Sequence, residues 1–158
     1  LSDLLEQIVD FHEWEWDQEG VTVELTLPAE PVLLDADANQ LRQALLNLIK
    51  NAVEASTNSE DAFVEVTLER DLAENKASVS IRDHGEGIPD DIQGRIFEPF
   101  FTSKAKGTGL GLAMTQQIVV EHHGHVSHER NTDRGTTFYI SLPLPADGGD
   151  DIPTEENA

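Results

Sequence analysis

Apolar residues recur every three or four positions in three parts of the chain, and this spacing predicts three helices. The first covers residues 3–16. The second covers residues 39–56, follows Asp37 as its N-cap, and carries a broad apolar face. The third covers residues 110–123 and is apolar on most sides, so it is expected to be buried and to end at Gly124. The apolar faces of the first two helices are Leu4, Leu5, Ile8 and Phe11, and Leu41, Ala44, Leu45, Leu48, Ile49, Ala52 and Val53.

Alternation of apolar and polar residues predicts the strands. The predicted strands are residues 21–27, 32–34, 64–68, 77–81, 126–130 and 136–142, of which the last two are typical of a closing hairpin. A long loop at 83–107, rich in glycine, proline and phenylalanine, has room for one short helix near 91–97. Because the strands come in pairs between helices, the predicted fold is α+β, a two-layer α/β sandwich of a mixed sheet with helices on one face.

Composition excludes several classes of function. The chain has 31 acidic and 10 basic residues, a net charge of −21, so its surface repels nucleic acid and no nucleic-acid partner is expected. This charge fits adaptation to high salt and an ordinary acidic protein equally well. The absence of cysteine excludes disulfides and thiolate metal sites. No signal-peptide pattern opens the chain and no apolar run reaches the ~20 residues of a membrane span, so a cytoplasmic location is expected.

A candidate ligand-binding carboxylate follows the strand at 77–81. Asp83 shares the parity of the inward-facing residues, where a carboxylate is costly unless a group donates to it. Taken alone, the residue is more typical of a strand cap or an ion pair. Gly85 and Gly87, followed by Ile88, favour a ligand, because backbone without side chains can approach a flat molecule closely. A buried acceptor beside glycines suits the amino group of adenine.

Two asparagines in the second helix are candidate metal or phosphate contacts. Asn47 and Asn51 lie one turn apart at the edge of the apolar face, so both amides can reach the same cluster of ligand atoms. Amide oxygens suit a hard cation such as Mg²⁺. A pair of solvated or capping asparagines explains the helix equally well, although asparagine is a mediocre helix former.

A glycine-rich segment before the third helix is a candidate phosphate site. Its residues are Gly107, Thr108, Gly109, Leu110, Gly111 and Leu112. The free N–H groups and the positive dipole end of a helix N-terminus attract anions. The segment matches neither the Walker motif nor the dinucleotide fingerprint, so it is a weak signal alone. Lys104 and Lys106 strengthen it, since they are two of the four lysines in a very acidic chain.

An aromatic segment lies just upstream, and it contains Phe97, Glu98, Pro99, Phe100, Phe101, Thr102 and Ser103. Three phenylalanines in a loop need an apolar surface to contact. The segment is therefore either a loop attached to the core or a mobile lid hinged at Gly107 and Gly109.

Together these motifs resemble those of sensor histidine kinases. Residues 47–51 resemble the N box, 83–88 the first glycine box, 97–104 the F box and 107–112 the second glycine box. Their order and spacing match over about residues 1–145, and the superfamily also contains gyrase B, Hsp90 and MutL. The resemblance implies the Bergerat ATP-binding fold with a long ATP lid. The lid most resembles that of nitrogen-regulation-type kinases.

The resemblance also implies the site residues. Asp83 would contact adenine, Asn51 would ligate Mg²⁺, and Asn47 and Lys104 would serve catalysis, with ATP and Mg²⁺ as cofactors. Thr136, in a segment similar to the last motif of the family, would lie near the adenine. The other residues expected to bind the nucleotide are Asn47, Gly85, Gly87, Ile88, Phe97, Thr102, Lys104, Gly107, Thr108, Gly109, Leu110, Gly111 and Leu112. Glu54 stands where many relatives have lysine, so one phosphate contact is expected to be missing.

The position of Asn47 favours phosphotransfer over hydrolysis. Hydrolysing relatives carry a water-activating glutamate there, and an amide cannot act as a general base. The resemblance implies donation of the γ-phosphoryl to a histidine on a dimerisation domain of the same protein, then relay to a response regulator receiver domain. His12 and Glu13 do not continue the kinase motif, so the acceptor is expected outside this fragment. A stand-alone ATPase and a nucleotide-sensing module without catalysis are the alternatives.

Three segments are expected along the chain. Residues 1–18 form a connector helix, 19–145 the ATP-binding catalytic domain, and 146–158 an acidic disordered tail. The fragment is expected to be a monomer and the parent protein a homodimer, either free in the cytoplasm or anchored in the inner membrane.

Overall fold

The computed structural model describes residues 1–146, and the predicted tail at 146–158 lies outside them apart from its first residue. The elements in chain order are α1 (Ser2–Gln18), β1 (Thr22–Thr26), α2 (Ala38–Ser56), β2 (Phe63–Asp71), β3 (Lys76–Asp83), α3 (Gly111–Glu121), β4 (His125–Arg130) and β5 (Thr136–Pro143). One turn of 3-10 helix, Gln93–Arg95, interrupts the loop between β3 and α3. The α+β prediction and the closing hairpin are confirmed.

The five strands form one mixed sheet in the order β1-β2-β3-β5-β4. β1 pairs with β2 in parallel, and the other pairs are antiparallel. Ile81 in β3 lies opposite Val66 in β2 and Phe138 in β5, and all three are buried. This register puts the apolar residues of the strands on one face, where the three helices pack. The prediction of a two-layer sandwich with helices on one face is confirmed.

The first helix buries Leu4, Leu5 and Ile8 of the predicted face, but it does not bury Phe11. Leu5, Ile8 and Trp16 are almost fully buried, whereas Phe11 is 81% exposed. At 100° per residue, Phe11 lies about 100° from the centre of the buried arc. Placing Phe11 in the apolar face was therefore wrong. The burial of Trp16 was not predicted, because Trp16 lies between the acidic residues Glu15 and Asp17.

Residues 32–34 do not form the predicted strand. The carbonyl of Val32 accepts hydrogen bonds from the Leu1 amino terminus, at 2.7 Å, and from the backbone N–H of Ser2, at 3.4 Å. The N–H of Val32 donates to the Ser2 hydroxyl at 2.9 Å. Because the start of α1 satisfies these groups, the segment has no strand partner, and only β1 lies between α1 and α2.

The second helix begins at the predicted cap. The Asp37 carboxylate accepts hydrogen bonds from the N–H groups of Asn39, at 2.9 Å, and Gln40, at 3.1 Å. These bonds satisfy two of the N–H groups that a helix start leaves without partners. The cap fixes the start of the helix that carries both candidate asparagines.

Replacing Asp37 by alanine is expected to lower the free energy of unfolding by about 1 kcal/mol, because the cap bonds are lost. Urea denaturation measures this change. Asp35→Ala is the matched control, since Asp35 is exposed and its side chain forms no hydrogen bond within residues 1–146. Equal loss of stability in both variants would contradict a capping role.

The third helix is less buried than predicted, and it ends differently. Only Thr115, Ile118 and Val119 are buried, so the prediction of a buried helix was wrong. His123 takes the left-handed conformation at φ 59°, and Gly124 donates to the Val119 carbonyl at 2.8 Å. Gly124 is needed for packing instead, because a Cβ there would lie 2.4 Å from the Ser141 carbonyl oxygen. Within residues 1–146, no helix has both the length and the apolar character to cross a membrane.

Candidate functional site

A cavity of about 810 Å³ opens between α2, the end of β3, the long loop and the start of α3. Its volume falls within the ~300–1,000 Å³ typical of small-molecule sites. The predicted site residues that line it are Asn47, Asn51, Asp83, Gly87, Ile88, Thr102, Lys104, Gly107, Thr108, Gly109, Gly111, Leu112 and Thr136. The structure thus brings the carboxylate at the end of β3, the amides of α2 and the glycine-rich segment to one cavity.

Three predicted residues lie outside this lining. Gly85 packs against α2, where a Cβ would lie 2.5 Å from the carbonyl oxygen of Ala55. Phe97 packs beneath the loop, with its ring centroid 6.4 Å from that of Phe138 and 6.0 Å from that of His128. Leu110 precedes α3 and is 38% exposed. Gly85 and Phe97 thus support the walls of the cavity rather than forming its surface.

Asp83 is the most buried ionisable residue of the cavity, with 5% of its surface exposed. Its Oδ1 accepts hydrogen bonds from the N–H groups of Gly85, at 2.9 Å, and Thr136, at 3.1 Å. Burial raises the pKa of Asp83 above 3.8, although both N–H groups act to lower it. Within residues 1–146 no group donates to Oδ2. The carboxylate therefore has one acceptor open to the cavity, and its ionised form costs stability because burial desolvates the charge.

The turn between β4 and β5 holds Asp83 in place. The side-chain amide of Asn131 donates to the Asp83 carbonyl at 3.1 Å. Gly135 has a φ of 85°, and a Cβ there would lie 2.2 Å from the same carbonyl oxygen. Only glycine fits both the conformation and this close approach. The position of the carboxylate thus depends on a turn about fifty residues further along the chain.

The two asparagines of α2 make different contacts. The Asn47 amide nitrogen donates to the Gly111 carbonyl at 2.8 Å, which ties α2 to the start of α3. The Asn51 carbonyl oxygen accepts a hydrogen bond from the Lys104 ammonium at 3.2 Å. Lys104 also forms an ion pair with Glu54, one turn further along α2. An amide oxygen and a carboxylate of one helix thus hold a cation supplied by the loop.

The loop between the 3-10 turn and α3 closes on itself at its base. Phe100 has a φ of 66°, and its N–H donates to the Gly109 carbonyl at 2.8 Å. Gly109 has a φ of 71°, and a Cβ there would lie 2.4 Å from the Phe100 carbonyl carbon. Inside this closure the Lys104 N–H donates to the Thr102 hydroxyl at 3.0 Å. Residues 100–109 therefore form a compact flap at the cavity, which we call the lid.

Comparison of the sequence with known protein families identifies the family of this chain. Residues 36–146 match the sequence model of the histidine kinase-, DNA gyrase B- and HSP90-like ATPases. The chain belongs to this ATPase family. The predicted resemblance to histidine kinases is thereby confirmed, whereas the nitrogen-regulation type stays a prediction.

Relatives within the ATPase family are histidine kinases. Sporulation kinase A of Bacillus subtilis (strain 168) is 36% identical over 143 residues, which are 90% of this chain and 23% of that protein. The catalytic domain of histidine kinase ThkA has a TM-score of 0.81 at 30% identity, covering 91% of this chain and 92% of that one. The chain thus spans about a quarter of the curated kinase and nearly all of the solved catalytic domain.

Two further solved structures within the ATPase family contain bound molecules. Full-length ShkA in complex with AMPPNP has a TM-score of 0.77 at 27% identity, covering 90% of this chain and 29% of that one. ThkA in complex with the response regulator protein TrrA has a TM-score of 0.76 at 26% identity, covering 91% and 40%. A nucleotide analogue and a response regulator are thus bound to relatives of this chain in those structures.

Several cavity residues of this ATPase domain were not predicted. Glu54 was interpreted as a lost phosphate contact, and its pairing with Lys104 was missed. Arg134 lines the cavity and donates from Nε to the Gly85 carbonyl at 3.1 Å. Its place directly before Gly135 and Thr136 was the available signal, together with the scarcity of basic residues. Other unpredicted lining residues include Asn58, Ser59, Glu86, Ile92, Ile96 and Phe101.

Proposed function

We propose that the chain is the ATP-binding catalytic domain of a two-component sensor histidine kinase. In this proposal it binds Mg-ATP and donates the γ-phosphoryl to a histidine on a separate dimerisation domain of the same protein, for relay to a response regulator. One observation carries the proposal: Asp83 and Asn51 open onto a single cavity, so one nucleotide can contact both.

The residues of the cavity fit both cofactors. The free Oδ2 of Asp83 suits the exocyclic amino group of adenine, and Gly87 and Ile88 leave room for a flat ring. Asn47 and Asn51 offer the amide oxygens that Mg²⁺ accepts as ligands. The bound metal would supply charge neutralisation at the phosphates. Lys104 and the N–H groups before α3 would bind the phosphate oxygens and orient them.

One feature of the cavity favours phosphotransfer over hydrolysis. Asn47 is an amide, and its nitrogen is held by the Gly111 carbonyl, so it cannot take a proton from water. The absence of a general base at Asn47 favours an external acceptor over the stand-alone ATPase.

We propose that the chain is divided into a connector helix and a catalytic domain. Residues 1–18 would connect the catalytic domain at 19–145 to the rest of the parent protein, and α1 packs on the domain core through Leu5, Ile8 and Trp16. We propose that the fragment is a monomer and that the parent dimerises through the histidine-bearing domain.

With Mg²⁺ present, the chain is expected to bind ATP and ADP in a calorimetric titration and to hydrolyse ATP at close to the uncatalysed rate. With γ-labelled ATP, label is expected on a separately supplied histidine-bearing dimerisation domain of the parent. Rapid phosphate release by the chain alone, abolished by Asn47→Ala, would support a stand-alone ATPase instead. Nucleotide binding without label transfer to any acceptor would support a sensing module.

A further inference from the structure

The Lys104 ammonium lies beside Asn51, the residue that is proposed to bind Mg²⁺ with the nucleotide. This ammonium group is 3.2 Å from the Asn51 carbonyl oxygen and pairs with the Glu54 carboxylate. The contacts cross from the lid to α2, between residues that are 53 and 50 positions apart in sequence. They are the only side-chain hydrogen bonds between the lid and α2 within residues 1–146.

Lys104 and Mg²⁺ would compete for the Asn51 oxygen. A magnesium ligand lies about 2.1 Å from the ion, so a second cation 3.2 Å from the same oxygen would be repelled by the metal. Metal binding at Asn51 therefore favours the release of Lys104. Because Lys104 belongs to the lid, the position of the lid and occupancy of the metal site are linked.

Glu54 supplies the charge that draws Lys104 to α2, because it is the only carboxylate of this helix. Both side chains of the pair are about half-exposed, at 49% and 55%, so water screens the contact and it breaks readily. A weak contact of this kind suits an exchange between two states better than a permanent structural link.

We propose that Glu54 is a positioning residue that holds Lys104 against Asn51 in the nucleotide-free domain. When Asn51 binds Mg²⁺ with the nucleotide, Lys104 leaves Asn51 and turns to the phosphates, and the lid detaches from α2. Lys104 is thus a resident cation that keeps the metal position neutral and the lid docked until the nucleotide arrives. The inference rests on the proposed function for its metal-bound state only.

Hydrogen exchange of lid amides in the nucleotide-free protein tests the docked state. Glu54→Gln is expected to raise exchange over residues 100–109 roughly threefold to fivefold, the range that a half-exposed ion pair supports. Glu86→Gln is the matched control, because Glu86 also lines the cavity and forms no ion pair within residues 1–146. Unchanged lid exchange in Glu54→Gln would overturn the proposal.

A double-mutant cycle with Lys104→Met tests the exchange of cations. Glu54→Gln alone is expected to tighten Mg-ADP binding roughly threefold to fivefold, because Lys104 no longer has to be released. In the Lys104→Met background the same change is expected to have no effect. A gain in Mg-ADP affinity that persists in the Lys104→Met background would show that Glu54 only repels the nucleotide. Weaker binding of Mg-ADP by Glu54→Gln, with a higher magnesium requirement, would show that Glu54 is a metal ligand. Either result would overturn the proposal.

The two experiments separate this inference from the proposed function. If the wild-type chain binds no nucleotide, the proposed function fails, while lid exchange in the nucleotide-free variants still decides whether Glu54 docks the lid. If nucleotide binds and the variants behave alike, only the inference fails.

Discussion

Replacing Asp83 by asparagine is expected to weaken nucleotide binding strongly while the domain stays folded. The Oδ1 atom of either residue can accept the N–H groups of Gly85 and Thr136, so the local backbone keeps its partners. The other position changes from a carboxylate oxygen to an amide nitrogen. A donor would then face the donor group of adenine. We expect affinity to fall by about 100-fold, the upper range for losing a hydrogen bond to a charged group.

The same variant is expected to be more stable than the wild type at pH 7. Burial raises the pKa of Asp83 above 3.8, so the folded state holds its proton more tightly than the unfolded chain. Wild-type stability from this group is therefore greatest below pH 3.8 and declines as the pH rises through the raised pKa. Asparagine does not titrate, so the stability difference between Asp83→Asn and the wild type should shrink as the pH falls towards 3.8.

Calorimetric titration with Mg-ADP and urea denaturation at two pH values measure these effects. Glu24→Gln removes a charge at an exposed position of β1, outside the cavity, and it should leave both quantities nearly unchanged. Retained affinity in Asp83→Asn would remove the adenine contact from the proposed function. Lower stability at pH 7 would show that the ionised carboxylate supports the fold.

The elements that could be predicted from the sequence are those set by local rules. The parity of Asp83 with Ala77, Val79 and Ile81 placed it on the buried face, and the structure buries all four. The Asp37 cap needs only the two N–H groups that follow it. Periodicity and capping chemistry act within one or two turns, so one sequence is enough to predict them.

The errors arose where distant contacts decide the structure. Val32 satisfies its backbone groups at the start of α1 and not in a sheet. Phe11 and the outer face of α3 are apolar in sequence, yet no described element covers them, so Phe11 and Val120 remain exposed. For the site, the motifs predicted which segments meet. The pairing of Glu54 with Lys104 depends on how the lid crosses α2, which no periodicity encodes.

Gly135→Ala is expected to damage the fold and the site together. A Cβ at Gly135 would lie 2.2 Å from the Asp83 carbonyl oxygen and 2.6 Å from Oδ1, and φ is 85°. The turn would have to move away from β3, and it would take Asp83 with it. We expect the free energy of unfolding to fall by at least about 3 kcal/mol, since overlap adds to the backbone cost. Nucleotide binding should be lost as well.

Gly20→Ala separates the two contributions to that loss. Gly20 has a φ of 77°, but apart from its two chain neighbours no described residue has an atom within 4 Å of a Cβ built there. Its substitution should cost only the left-handed backbone term, about 1 kcal/mol, and leave Mg-ADP binding intact. Urea denaturation and calorimetry of both variants separate the two effects. Gly20→Ala adds backbone strain alone, and Gly135→Ala adds backbone strain together with overlap with Asp83. Equal losses of stability in the two variants would mean that the turn between β4 and β5 moves at little cost. In that case β3 alone would position the Asp83 carboxylate.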